Sequence, residues 1–238
     1  MDFYLNTLKH FYPNRWELML ESSYIDCHAK GVHSVVFDKD PATGCLFRMY
    51  FVTGDHELYL NHKNQCLIPN QLSVGIHNHR QGLLLRAISG FVTNIVFEKV
   101  LQGAACNAKT TYLNDYVFDS KIKGGTGEFL KRTDAVPLVF KSEQEYSNGD
   151  YVFMGPSVLH TVYVQKHETA AWIIQEVPLY LKGLTHCFNK KQPSTTGMYK
   201  PMTPGFLVHL LGIFDIAPEY VEYEINRHRI HITDLTIG

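Results

Sequence analysis

The chain has 238 residues, of which 45% are hydrophobic and 13% aromatic, and its 22 Lys and Arg nearly balance its 23 Asp and Glu. The resulting formal charge of −1 argues against binding to nucleic acid or a membrane surface, since such proteins normally carry an excess of basic residues. The hydrophobic content is sufficient for a sizeable core, so we expect a folded chain rather than a disordered one.

Two further features of the composition favour a cytoplasmic protein. No run reaches the roughly 18 apolar residues that a membrane-spanning helix needs, and Asp2, Lys9 and Arg15 would interrupt the apolar part of a signal peptide. The five cysteines are an odd number and form no Cys-x-x-Cys pair, which is typical of reduced thiols inside a cell.

The predicted elements divide the chain into three parts. Residues 1–30 are predicted to form a helical N-terminal cap, because Phe3, Leu8 and Phe11 lie close to helical spacing and a second apolar set surrounds Met19. Residues 31–180 contain short apolar or alternating runs separated by turn sequences, at 35–37, 46–52, 57–61, 72–77, 83–100, 110–118, 137–140, 150–154, 160–164 and 169–177. Many short strands at this spacing predict an antiparallel sandwich or barrel.

Residues 181–238 are predicted to be an extension that packs on the barrel. A connector rich in Pro, Gly, Ser and Thr at 190–205 leads into the apolar run 206–214, which is too short to cross a membrane.

Histidines are the chemically distinctive residues of this chain, which has 13 of them. His77 and His79 end a predicted strand, and side chains at i and i+2 of a strand point to the same face. His160 opens another predicted strand, after a Gly-Pro turn. Three imidazoles on rigid strands could converge inside a barrel and bind a metal while leaving coordination positions open.

In these motifs the sequence resembles the cupin superfamily. His77 and His79 match the His-x-His pair of the first cupin motif, and Gly90 lies 11 positions after His79, as that motif expects. Gly149 and His160, also 11 positions apart, match the Gly-Asp and the His of the second motif, with Asp150 and the turn residue Pro156 between them.

The resemblance implies an all-β fold, a double-stranded β-helix or jelly-roll barrel, with His77, His79 and His160 as metal ligands. Leu83 occupies the position where the family places a glutamate ligand, so Gln81 is the nearest substitute as an auxiliary ligand. Val164 replaces the asparagine that ends the second motif.

An all-imidazole site suits Fe(II), Zn, Ni or Cu and disfavours Mg or Ca. Cupins with three histidines and no glutamate resemble thiol dioxygenases. This resemblance implies a metal-binding oxidoreductase, an Fe(II)-dependent dioxygenase acting on a small molecule; the catalytic residues stay unassigned.

Two alternatives remain open. One is a metal-free cupin that binds a small-molecule or nucleotide-type ligand in the barrel mouth, and the other is a sugar-type isomerase in which a histidine acts as base. A homo-oligomer is compatible with each of them.

Two arginines and several other histidines are expected to have structural rather than catalytic roles. Arg80 and Arg86 could pair with a carboxylate, but exposed solubilising charge is the expected role of both. His209 is expected to lie in a core or interface, and a surface position is expected for His10, His56, His62 and His167.

Overall fold

Most of the described chain is β-structure. The computed structural model describes residues 15–59, 75–100, 110–119, 128–180, 184–194, 198–216 and 223. Its elements, in chain order, are α1 Trp16–Glu21, β1 Tyr24–Ile25, β2 Val32–Lys39, β3 Leu46–Val52, β4 Ile76–His77, β5 Gln81–Ser89, β6 Val92–Lys99, β7 Thr110–Asp119, β8 Glu128–Tyr146, β9 Tyr151–Met154, β10 Leu159–Tyr163, β11 Ala170–Tyr180, β12 His186–Asn189, β13 Lys200–Pro201 and α2 Pro204–Ile213.

The strands form two antiparallel sheets. The larger sheet has the order β13-β1-β2-β3-β11-β5-β9, and the second closes on itself as β10-β4-β12-β7-β8-β6, with β6 paired to β10. This architecture confirms the predicted all-β class and is consistent with a jelly roll.

Some predicted elements lie outside the described residues. They are the cap residues Phe3, Leu8 and Phe11 and positions 60–61 and 72–74 of two predicted strands. Residues 57–59, predicted to begin a strand, are not β-structure.

A hydrophobic core lies between the larger sheet and the two helices. Met19 of α1, Phe51 of β3 and Leu210 of α2 are all inaccessible to solvent and belong to one cluster. Thr203 caps α2 by accepting a hydrogen bond from the backbone N–H of Phe206. No helix within the described ranges is both long enough and apolar enough to span a membrane.

Three expectations about exposure are wrong. His209 is exposed rather than in the core, because helical periodicity turns Leu207 and Leu210 of α2 toward the sheet and His209 away from it, and the interface alternative stays a prediction. Arg86 is only 7% exposed, since β5 lies inside its sheet between β9 and β11, and its guanidinium lies 5.2 Å from the ring centroid of Tyr151. Arg80 and His167 are exposed as expected. His10 and His62 lie outside the described residues.

The third wrong expectation concerns His56, which is 3% exposed rather than on the surface. Its Nε2 donates to the carbonyl oxygen of Gln165 at 3.1 Å, and its Nδ1 accepts from the backbone N–H of Leu58 at 3.1 Å. These two hydrogen bonds match the neutral imidazole, and burial lowers the pKa of His56 from its ordinary 6.5.

We expect acid to destabilise the protein in part through His56. Below pH 6.5 the unfolded chain takes up a proton that the folded imidazole resists, so stability is lost as the pH falls through this value. In urea unfolding between pH 7.5 and 5.5, His56→Asn should reduce the slope of the free energy of unfolding by up to about 1.4 kcal/mol per pH unit. Asparagine can keep the hydrogen bond from the Leu58 N–H, so the variant is expected to fold. An unchanged slope would contradict the contribution of His56 to acid destabilisation.

The described cysteines fit the expectation of packed thiols, and their reduced state stays a prediction. Cys27, Cys45 and Cys187 are buried and form no disulfide. Burial raises the pKa of Cys27 to about 12, which disfavours its reactive thiolate.

Candidate metal centre

Strand pairing brings the three predicted histidines together. His77 ends β4 and lies opposite His160 of β10 in the antiparallel register. His79 follows two residues later, held by a hydrogen bond from its backbone N–H to the carbonyl oxygen of Pro156 at 3.2 Å. The ring centroids are 4.8 Å apart for His77 and His79, and 5.0 Å apart for each pair that includes His160.

Hydrogen bonds at Nδ1 orient the Nε2 atoms of His77 and His160. The Nδ1–H of His160 donates to Oδ1 of Asn94 at 2.7 Å, and that of His77 donates to the carbonyl oxygen of Gly75 at 3.1 Å. Since a neutral imidazole carries one proton, both Nε2 atoms keep their lone pairs. His79 Nε2 lies 2.8 Å from His160 Nε2. One ligand atom from each of the three rings can be chosen so that all lie within 4.8 Å of one another, close enough to hold one metal ion.

The electrostatics of the cluster keep all three rings neutral. Burial lowers the pKa of His77, and it lowers the pKa values of His79 and His160 well below the ordinary value. Neighbouring imidazoles further lower the pKa values of His79 and His160. Neutral imidazole is the form that binds metal, so the donor set fits a transition-metal ion.

The residues predicted around this cluster have different positions. Leu83 of β5 is buried and lines a cavity beside the histidines, so an aliphatic side chain stands where the resemblance places glutamate. Gln81 begins β5, opposite Tyr180, and does not line either cavity at the cluster. Its role as auxiliary ligand stays a prediction.

His28 is a fourth imidazole at this site, and sequence reasoning missed it. Its ring stacks on His77 with the centroids 6.1 Å apart, its Nε2 lies 3.3 Å from the Tyr50 hydroxyl, and its Nδ1 lies 3.2 Å from the Tyr199 hydroxyl. Burial is the main reason that its pKa falls to about 3. Its φ of 73° is unusual for a residue other than glycine, and such strain is often found at functional sites.

Two cavities adjoin the histidines. The smaller, of about 50 Å³, is lined by His77, His79 and His160 and by mainly apolar side chains. The larger, of about 240 Å³, is lined by His77 and His79 and carries most of the polar groups, which include Arg48, Tyr50, Glu176 and Tyr199. Arg48 Nη2 lies 3.2 Å from Glu176 Oε1, so the guanidinium has a carboxylate partner within the protein.

Asn94 is the residue that orients His160. It is 3% exposed on β6, opposite Val162 of β10, which turns its amide toward the cluster. The sequence alone gives no reason to place Asn94 beside the histidines, because this contact depends on the pairing of β6 with β10.

We expect Asn94→Leu to weaken metal binding about 10- to 100-fold, the usual cost of losing a partner that orients a histidine ligand. The measurement is a Co(II) titration of the purified variant in competition with a chelator. Asn114→Leu is the matched control, because Asn114 lies on β7 and bonds the carbonyl oxygen of Lys190 rather than a ligand. Equal affinities for the two variants would contradict the orienting role of Asn94.

Comparison with known proteins gives structural matches only. No protein-family model matches the chain, and no curated protein matches it. The chain is similar to a cupin 2 conserved barrel domain protein from Rhodopseudomonas palustris, with 11% identity and a TM-score of 0.35 over 66% of this chain and 68% of that one. It is also similar to a cupin-like protein from Thermotoga maritima, with 11% identity and a TM-score of 0.31 over 62% and 69%.

A third similar structure is the hydroxypropylphosphonic acid epoxidase from S. wedmorenis, with 10% identity and a TM-score of 0.35 over 66% of this chain. The match covers 56% of that enzyme, so this chain corresponds to little more than half of it. Because TM-scores below 0.5 do not establish a common fold, the resemblance of this chain to cupins rests on its own histidines and antiparallel barrel.

Proposed function

We propose that this protein is a metal-binding cupin, an Fe(II)-dependent dioxygenase that acts on a small molecule. The observation that carries the proposal is the convergence of three neutral imidazoles, of which His160 is buried and His77 and His79 are half-buried. Hydrogen bonds at Nδ1 fix the Nε2 lone pairs of His77 and His160. His77, His79 and His160 are the proposed ligands.

The chemistry of the donor set supports a catalytic rather than a sealed site. Three nitrogen ligands leave coordination positions open, whereas structural metal sites are usually closed by four protein ligands. Imidazole suits Fe(II), Zn, Ni or Cu better than Mg or Ca. Bound Fe(II) would supply redox chemistry toward dioxygen.

The larger cavity suits the polar part of a substrate. Tyr50 and Tyr199 offer hydroxyl groups, and the Arg48–Glu176 pair offers both a donor and an acceptor beside His77 and His79. Because the pair is close to neutral overall, we expect this cavity to favour uncharged or zwitterionic groups over simple anions.

Oxygen consumption tests this function. The protein is loaded with Fe(II) anaerobically, and dioxygen uptake is then recorded after addition of thiols or small carboxylates, with a His77→Ala, His79→Ala, His160→Ala triple variant as control. Uptake that depends on one of these compounds and is absent from the variant is expected. Equal uptake by both proteins, or none with any of these compounds, would contradict the proposal.

One observation favours a second candidate, a metal-free cupin that binds a small-molecule or nucleotide-type ligand or acts as a sugar-type isomerase. In the absence of metal, the 2.8 Å contact lets His79 Nε2–H donate to His160 Nε2, so the histidines satisfy each other. A ligand that copurifies with the metal-free protein and is identified by native mass spectrometry would favour this candidate.

A further inference from the structure

The smaller cavity differs from the larger one in the character of its walls. Apart from the histidines, Gly75 and the hydroxyl-bearing Tyr50 and Thr161, its lining is apolar and consists of Val32, Leu58, Leu85, Val162, Trp172 and Ile174. All three proposed ligands line this cavity, whereas only His77 and His79 line the larger one. A metal ion held by the three rings would therefore face an apolar space as well as a polar one.

The walls of the smaller cavity are tightly packed. Val32, Leu85 and Trp172 are at most 2% exposed and lie on β2, β5 and β11 of the larger sheet. The Trp172 ring stacks on Tyr50, with the centroids 5.5 Å apart and the planes 14° from parallel. These side chains are fixed by their packing within the sheet.

The chemistry of these walls selects what can enter. A hydroxyl or charged group would lose its hydrogen bonds to water and find few partners among the aliphatic side chains, at a cost in free energy. An aliphatic group gains free energy in proportion to the apolar area that it buries. The volume of about 50 Å³ limits such a group to a short chain.

On the basis of the proposed metal centre, we propose that the substrate carries a short aliphatic chain next to its metal-binding end. The aliphatic chain occupies the smaller cavity, and the polar remainder lies in the larger cavity beside Arg48 and Tyr199. Leu85 is then a specificity-determining residue, because its buried side chain lines the aliphatic pocket and not the polar one.

Alkyl hydroxamates of increasing length are suitable probes, because each combines one chelating head with a variable tail. Binding of acetohydroxamate, propionohydroxamate, butyrohydroxamate, hexanohydroxamate and octanohydroxamate to the Co(II)-loaded protein is followed by the visible absorption of the metal. We expect affinity to rise about fourfold for each methylene until the pocket is full, the gain typical of burying one methylene, and then to fall.

Paired substitutions on β5 locate the pocket. Leu85→Phe narrows the pocket, so the hydroxamate that binds most tightly should have a shorter tail. Leu85→Ala enlarges the pocket, so the hydroxamate that binds most tightly should have a longer tail. Leu84 is the matched control, because it is the next residue on β5, is similarly buried, points to the opposite face and lines neither cavity. Leu84→Phe and Leu84→Ala should leave the order of affinities unchanged, and the alanine variants give a readout if either phenylalanine variant fails to fold.

The possible outcomes separate this inference from the metal centre on which it rests. Failure of the natural sequence to bind Co(II) overturns both. Binding of Co(II) with affinities that do not depend on tail length overturns the aliphatic pocket alone. The aliphatic pocket is also overturned if substitutions at Leu84 and Leu85 change the order of hydroxamate affinities equally.

Discussion

His160→Ala is expected to lower the affinity for Fe(II) or Co(II) by more than the roughly 10- to 100-fold that loss of an orienting partner costs. The substitution removes one of three proposed ligands, and the described residues bring no carboxylate into the cluster to replace it. The affinity is measured by competition with a chelator under anaerobic conditions. The far-ultraviolet circular dichroism of the variant should match that of the natural sequence.

His209→Ala is the control for this prediction. It makes the same chemical change at an exposed histidine on α2, away from the cluster. We expect its affinity for metal to equal that of the natural sequence. If His160→Ala also binds metal with unchanged affinity, the ion is bound elsewhere and the three-histidine centre is wrong.

Phe51→Ala is expected to reduce the free energy of unfolding by about 3–5 kcal/mol, the usual cost of deleting a fully buried phenylalanine side chain. Phe51 is inaccessible to solvent on β3, between β2 and β11. The ring centroids of Phe51 and Phe214 are 5.2 Å apart, and Phe214 lies at the end of α2. The substitution therefore opens a cavity between the sheet and α2. Chemical denaturation followed by circular dichroism measures the loss.

Phe153→Ala is the matched control for the core. Phe153 lies on β9 at the edge of the same sheet and is 45% exposed, so its loss should cost less than about 1 kcal/mol. Equal losses at the two positions would contradict the packing of α2 against the centre of the sheet.

The fold class was predictable because many strands carry a local signal. The apolar run 46–52 became β3, and the run 160–164 became most of β10, each bounded by turn sequences. β8 was largely missed, since only 137–140 were predicted although the strand spans Glu128–Tyr146. Its many polar, exposed residues give no strand pattern, and its pairing with β6 and β7 stabilises it instead.

The site was predictable only as far as its histidine motifs reach. The His-x-His pair and the second motif indicated His77, His79 and His160, and strand alternation predicted that His77 and His79 share a face. In the structure β4 ends at His77, and the backbone hydrogen bond to Pro156 holds His79 instead. His28 and Tyr199 are 171 positions apart and meet because β1 pairs with β13, with Ile25 opposite Lys200. No local pattern in one sequence specifies such long-range pairing. The contact between His28 and Tyr199 is therefore seen only in the structure.

The most direct test of the metal centre is elemental analysis of protein purified without a polyhistidine tag, before and after anaerobic reconstitution with Fe(II). The control is the triple variant in which His77, His79 and His160 are all alanine. A three-histidine centre predicts close to one metal ion per chain in the natural sequence and none in the variant. Absence of metal from both proteins even after reconstitution, or equal metal in both, would contradict it.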